Sequence, residues 1–509
     1  MKACTLFESQ QQNKYLYDRK VKRAHLCHPV LHYIIELNKK SIDVKRWLDN
    51  LEDESPVEIK HYGQFSKKEV NYYYRKYLFL KENGYFGEID QEKKLGAQLN
   101  EENIRRSLAN GKQVVFEVTE KCQLNCVYCT YGDFYQYFEK REKKNLAIGP
   151  AKILLNYLLE LWNSPLNTSH DRTIFISFYG GEPLLNFPFI EEIVNYVKQL
   201  KVLHNRFAFS MTTNGLLVEK YMDFLASNNF HLLVSLDGNE ENNAYRVLSD
   251  GKPAYNAILK SVNALKEKYP DHFLKRVDFM AVLHNKNSVS QIHNFFKKHF
   301  DKTPFITELY PNGVKDSQKE IFWKTYSNVS ESLYQSEDYS LIEKDMFLET
   351  PEIHKVNKFL AYRTDFSFKN YKDLIYSDIE PPVTPTGTCL PFSRKIFLSA
   401  KGDILPCERV AGHHCGLGNV TRDKVELNFA QIAEKYNANY NKLRKYCNVC
   451  FNTETCEQCM YNLNIDDDNP ICKGFMTDNE HSKYLSSILN YIENIPETYS
   501  KIIREAFID

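Results

Sequence analysis

Residues 114–129 read VVFEVTEKCQLNCVYC. Val114–Val118 is a short apolar run, of a length that suits a buried strand better than a helix. Three cysteines follow, spaced Cys122-x3-Cys126-x2-Cys129, in the loop at the strand's carboxyl end. Three thiolates this close can take three corners of a cubane iron–sulfur cluster and leave the fourth iron without a protein ligand. An open position on a metal centre is where a substrate or cosubstrate binds. A structural zinc site normally takes four protein ligands, and no fourth Cys or His follows nearby.

Downstream the same punctuation repeats. Ile174–Tyr179, Phe207–Met211, Leu232–Leu236, Val277–Leu283 and Phe305–Leu309 are further apolar runs. Amphipathic helices separate them, one with Ile190, Ile193, Val194, Val197 and Leu200 on a single face. Six strands alternating with helices predict an α/β fold of parallel βαβ units, in a barrel or an open sheet. Ligand chemistry in such folds gathers at the carboxyl ends of strands. Residues 110–310 therefore form the expected barrel domain, and 311–385 read as connecting structure. Residues 386–478 are rich in cysteine, and 479–509 read as helix packed across the surface.

Residues 1–95 read as a separate module. Cys4–Phe7 and Tyr15–Tyr17 predict a hairpin across the polar SQQQN stretch. A helix is expected from Pro29 to Leu37. Ser41 is expected to cap a second helix presenting Val44, Trp47, Leu48 and Leu51. Ser66 with Glu69 reads as the capping box of a third, which Gly84 ends. A strand pair with three helices is the content of a winged-helix-like module.

Composition narrows the class. The 509 residues carry 66 basic and 66 acidic side chains, for zero formal charge. That balance argues against a nucleic-acid binder, which needs surplus Lys and Arg for the phosphates. No apolar run approaches the ~20 residues of a membrane span. The N-terminal stretch has no signal-peptide core, so a cytoplasmic protein is expected. In a reducing compartment, 13 cysteines point to metal, catalysis or burial rather than disulfides.

At these residues the chain resembles the radical S-adenosylmethionine superfamily, whose signature is this three-cysteine spacing after the first strand of a partial (β/α)6 barrel. Other strand ends agree: Tyr179-Gly180-Gly181-Glu182-Pro183 resembles the family's GGEP motif, Thr212-Thr213-Asn214-Gly215 ends the third strand, and Ser235-Leu236-Asp237-Gly238 ends the fourth. The resemblance implies that Cys122, Cys126 and Cys129 hold a [4Fe-4S] cluster. It also implies that Gly180, Gly181, Glu182 and Pro183 hold the amino group of S-adenosyl-L-methionine, with the Glu182 carboxylate on the ammonium. Thr212, Asn214, Ser235 and Asp237 would line the ribose and methionyl pocket, with Ser235 the direct contact. Arg246 would clamp the methionyl carboxylate, and Tyr128 would pack near the adenine. The implied reaction is reductive cleavage to a 5′-deoxyadenosyl radical that abstracts hydrogen from a substrate carbon.

The second cysteine set comprises Cys389, Cys407, Cys415, Cys447, Cys450, Cys456, Cys459 and Cys472. Paired C-x2-C knuckles alone fit zinc or iron–sulfur sites. The whole arrangement resembles the SPASM extension, which implies two auxiliary [4Fe-4S] clusters and three in all. By that resemblance Cys389, Cys407 and Cys459 serve the first, with Cys415 as a candidate fourth ligand or an iron left open. Cys447, Cys450, Cys456 and Cys472 serve the second. Two departures stand out. Cys456 and Cys459 are separated by two residues where the family pattern has three, and no cysteine lies between Cys389 and Cys407. Cys4 and Cys27 read as ordinary buried thiols.

SPASM enzymes mostly modify peptides or proteins. The N-terminal module resembles the leader-recognition element of peptide maturases, in which a leader adds as a strand to a sheet edge. The expected function is therefore a maturase of a ribosomally made precursor peptide, forming a thioether or C–C crosslink. Its expected partners are that peptide and an electron donor such as flavodoxin or ferredoxin. One alternative is an anaerobic sulfatase-maturating enzyme, in which Glu408 stands where that family has an aspartate base. Another is a zinc-binding scaffold without redox chemistry.

Overall fold

The computed structural model describes residues 4–19, 23–51, 56–86, 98–135, 142–346, 350–363, 390–410, 416–463 and 471–505. The chain forms two compact units that do not follow its order: residues 1–97, 348–388 and 439–509, and residues 98–347 and 389–438.

The first unit opens on an antiparallel sheet of β1 (Cys4–Glu8), β2 (Lys14–Asp18) and β3 (Arg23–Leu26), in that order. The pairing of β1 with β2 is the expected hairpin. The third strand carried no alternating apolar signal, since Arg23, His25 and Leu26 are exposed. Helices Pro29–Lys39, Val44–Asp49 and Lys67–Glu82 follow, with a hairpin of β4 (Val57–Ile59) and β5 (Gly63–Phe65) between the last two. Cys4 and Cys27 are buried in the core with Ile34, Val70 and Tyr77.

Two caps differ from expectation. Asp43, not Ser41, caps the second helix by accepting from the Lys45 and Arg46 amides, because Ser41 takes a left-handed φ of 59° in the turn before it. Ser66 caps the third by accepting from the Glu69 amide, but Glu69 pairs with His28 at 3.5 Å.

The C-terminal helix Asp478–Asn494 packs one face against this unit. It buries His481, Leu485 and Ile488, and Asp478 accepts from Thr5 of β1 at 2.8 Å. Its partner face is β1, at the opposite end of the chain.

The second unit is built on β6 (Gln113–Thr119), β7 (Thr173–Gly180), β8 (Arg206–Thr213), β9 (His231–Ser235), β10 (Val277–Leu283) and β11 (Phe305–Glu308). All are parallel and pair in chain order without reversal, the winding of a (β/α) barrel rather than of a doubly wound sheet. The six expected strands are present within a residue or two, and helix Phe187–Gln199 buries Ile190, Ile193, Val194 and Val197 as its spacing predicts. Sequence reading did not foresee β12 (Lys395–Leu398), which joins this sheet parallel to β6 and pairs Lys395 with Gln113. β13 (Asp403–Leu405), β14 (Gly418–Val420) and β15 (Val425–Leu427) extend it antiparallel. The stretch read as connecting structure holds helices Lys319–Thr325, Val329–Tyr334 and Tyr339–Asp345 in this unit and Pro351–Arg363 in the first. Among the described residues, no helix is long and apolar enough to cross a membrane.

Candidate active site

The β6 chain leaves the sheet at Thr119 and enters the cysteine loop. Segment 245–247 pins that loop: the Asn125 amide donates to the Val247 carbonyl and the Val127 amide to that of Tyr245. Cys122, Cys126 and Cys129 then line one cavity of about 140 Å³ with Tyr128, Gly180, Gly181, Thr212, Asn214, Ser235 and Arg246. Ten residues singled out from sequence thus share one wall at the strand ends. Thr213 and Tyr179 also face it, the former within the Thr-Thr-Asn-Gly string and the latter just before the glycine pair.

The chemistry of the donor set fits a cluster. The Cys122 sulfur accepts from the Leu124 amide at 3.4 Å and from the Asn214 amide group at 3.8 Å. Hydrogen bonds of this kind support a thiolate bound to iron. Burial pushes the Cys126 thiol up to about 12, against the pull of Arg246, so without metal it keeps its proton.

The glycines answer first to the protein's own backbone. A Cβ on Gly180, whose φ is +134°, would stand 2.3 Å from the Thr119 carbonyl oxygen, and one on Gly181 would stand 2.1 Å from that of Lys121. No side chain fits where the end of β7 crosses the start of the cysteine loop.

Glu182 is not among the residues lining the cavity. It is fully buried and stands behind the cavity wall. Its carboxylate accepts from the Leu184 amide at 3.1 Å, the Thr213 hydroxyl at 2.8 Å and the Asn214 amide at 2.7 Å. It braces the end of β7 against the end of β8, which shapes the cavity from behind. Burial raises its pKa to about 7, and the three donors hold it down against that rise. Glu182→Gln puts an N–H group among three donors. We expect it to cost about 1–3 kcal/mol of stability, read as a lower midpoint in chemical denaturation. An unchanged midpoint would show that the brace is dispensable. Pro183 is buried at the start of the 3-10 turn Pro183–Asn186.

Asp237 also lies behind the wall, with none of its surface exposed. It accepts from Arg246 Nε and Nη2, each at 3.1 Å, from the Val282 amide at 2.9 Å, and from the Tyr128 hydroxyl. Burial opposes the Arg246 charge, and the Asp237 carboxylate outweighs it, so the guanidinium pKa is raised. One carboxylate therefore ties the cysteine loop, β10 and the cavity's cation together. Asp237 holds two of the five guanidinium hydrogens.

A second chamber of about 240 Å³ adjoins the first, sharing Tyr179 and Thr212 with it. In its wall, Gln113 donates to Ser177 at 2.7 Å, and Ser177 and Ser210 share a hydrogen bond of 2.6 Å. Glu408 faces this chamber and is held by Lys395 at 2.9 Å, a pairing that strand β12 creates.

In the other unit, Cys447, Cys450, Cys456 and Cys472 line one small cavity. The Cys450 sulfur accepts from the Asn452 amide at 3.3 Å and the Met476 amide at 3.4 Å. These four thiols share one cavity, although among the described residues no group of three or more His, Cys, Asp or Glu is placed to hold a single metal ion. Cys459 does not line that cavity, and Cys407 lies in the barrel unit. Cys389 and Cys415 fall outside the described residues.

Three thiols beside a glycine-walled cavity at parallel strand ends suit a bound redox cofactor. The radical SAM superfamily model matches residues 116–296, the stretch that holds the cysteine loop and the cavity. That superfamily implies a [4Fe-4S] cluster. A cysteine-type anaerobic sulfatase-maturating enzyme of Clostridium novyi is 30% identical over 200 residues, 38% of this chain and 50% of that one. The radical SAM cyclopropyl synthase TigE of Paramaledivibacter caminithermalis is 29% identical over 161 residues, 31% of this chain and 33% of that one. Among solved structures, native anSMEcpe with bound AdoMet and Kp18Cys peptide matches with a TM-score of 0.50 and 17% identity, covering 77% of this chain and 99% of that one. The chain spans half or less of the length of these curated relatives.

Proposed function

We propose that this enzyme is a maturase acting on a ribosomally made precursor peptide, with a thioether or C–C crosslink as the favoured product. Cys122, Cys126 and Cys129 would hold the cluster, and Gly180, Gly181, Thr212, Asn214, Ser235, Arg246 and Tyr128 would hold S-adenosyl-L-methionine. Cluster and S-adenosyl-L-methionine together supply a carbon-centred radical able to abstract hydrogen. The chain's own part is to position: Arg246 offers its remaining donors to a carboxylate, and the second chamber takes the substrate residue beside Tyr179 and Thr212. The cysteines of residues 386–478 would hold two auxiliary clusters, and residues 1–95 would serve as the winged-helix-like leader-binding module.

The observation that carries this reading is the edge of β3. Among the described residues β3 pairs with β2 alone. Its end leads to His28, which stacks on Tyr73 of helix Lys67–Glu82 with ring centroids 3.9 Å apart. Leu26 is 72% exposed, and Tyr72 and Phe79 of that helix are also exposed. An open edge beside an aromatic helix suits an added peptide strand, and tethering the leader raises the local concentration of the rest of the peptide.

The edge can be tested alone. The Cys27 amide donates to the Lys14 carbonyl of β2, and antiparallel pairing alternates, so Ala24 and Leu26 turn their amides outward. Ala24→Pro removes one outward donor and spares the ladder to β2. We expect weaker binding of the precursor peptide with an unchanged circular dichroism spectrum. Equal affinity would count against strand addition.

For the function itself, the enzyme should be co-expressed with peptides from short reading frames beside its gene. A product lighter by two hydrogens fits a crosslink. The Clostridium novyi relative and the carboxylate of Glu408 in the chamber favour a second reading, maturation of a sulfatase. An aldehyde formed on a sulfatase-derived Cys or Ser peptide would establish that instead.

A further inference from the structure

In the first unit, Arg19 follows β2 and is only 2% exposed. Its Nη2 donates to the carbonyl of Cys450 at 3.3 Å, and its guanidinium carbon lies 4.0 Å from the centroid of the Phe451 ring. Cys450 is one of the four thiols around the small cavity. The loop that carries it is fixed, since the Phe451 amide donates to the Met476 carbonyl at 2.8 Å and the Met476 amide returns to the Cys450 sulfur. A residue of the N-terminal sheet thus places a buried cation against the backbone of a thiol donor. Its neighbour Asp18 is buried too and stands opposite Arg23 in the β2–β3 register.

We propose that Arg19 is a positioning residue for the iron–sulfur centre of Cys447, Cys450, Cys456 and Cys472, and that its charge raises that centre's reduction potential. This rests on the reading of those four thiols as a cluster site. Reduction adds negative charge, which a nearby cation stabilises, and burial strengthens the effect by removing solvent screening. The stacked guanidinium cannot lose its proton, so the bias is permanent. It also makes the N-terminal sheet part of the centre's surroundings.

The test compares the full-length, anaerobically prepared wild type with Arg19→Gln and Arg19→Lys, using iron content and potentiometric EPR on each resolved component. Arg19→Gln is expected to keep its iron and shift one component to more negative potential, while Arg19→Lys recovers most of the shift. An unmoved potential in Arg19→Gln would overturn the proposal, as would an equal shift in both variants. Should Arg19→Gln shed iron, Arg19→Met keeps the packing stem over Phe451 and takes its place. Iron loss from both would overturn the proposal, because Arg19 would then hold the loop rather than tune the centre. Zinc in place of iron in the wild type would sink the cluster reading itself, a different result from an unmoved potential.

Discussion

Replacing Cys126 with Ala is expected to bring 5′-deoxyadenosine formation down to background. The three thiols stand on one loop pinned through the Asn125 and Val127 amides, so no other cysteine in that loop can move in as a third ligand. Cys126 is the one whose thiol burial holds up to about 12, a proton that metal binding has to displace. With Ala in its place the cavity wall of Gly180, Gly181 and Arg246 remains, so the variant should still fold. Product analysis by liquid chromatography after anaerobic reduction reads the result. Persistent cleavage would mean that the active centre lies elsewhere.

Asp237→Ala is expected to be the most damaging change to stability near the site. It leaves the Arg246 charge buried without its bidentate partner, and breaking a buried pair in this way costs about 3–5 kcal/mol. The Tyr128 hydroxyl and the Val282 amide lose their acceptor in the same step. We expect a lower thermal transition, less retained iron and weaker S-adenosyl-L-methionine binding. Asp237→Asn keeps one acceptor and should fall between. Differential scanning calorimetry of anaerobic protein checks the order, and an Ala variant as stable as its parent would refute the hub role.

Much of the barrel and its cavity was legible in the chain because both depend on local pattern. Apolar runs such as Val114–Val118 mark strands, and polar strings that follow them fall at strand ends in any parallel βα array. Ten residues that the family resemblance singled out share one cavity wall. Glu182 and Asp237 are buried and do not line that cavity. Motif spacing places a residue at a strand end, whereas partners from other strands determine which way its side chain turns. Thr213 and Asn214 draw Glu182 inward, and Arg246 and Tyr128 draw Asp237.

By itself, the amino-acid order determined the strand and helix periods, the cysteine loop after β6, and the glycines where no Cβ fits. The tertiary structure alone decided the pairing of β12 with β6, which sets Lys395 against Glu408 in the wall of the second chamber. It also decided the union of β1 and β2 with the C-terminal helix and the Cys450 loop, which buries Arg19. The physical reason is common to both. These contacts join segments far apart in the chain, and neither segment carries a periodicity or a turn signal that names its partner. Only the burial of apolar faces and the pairing of strand edges in three dimensions selects it.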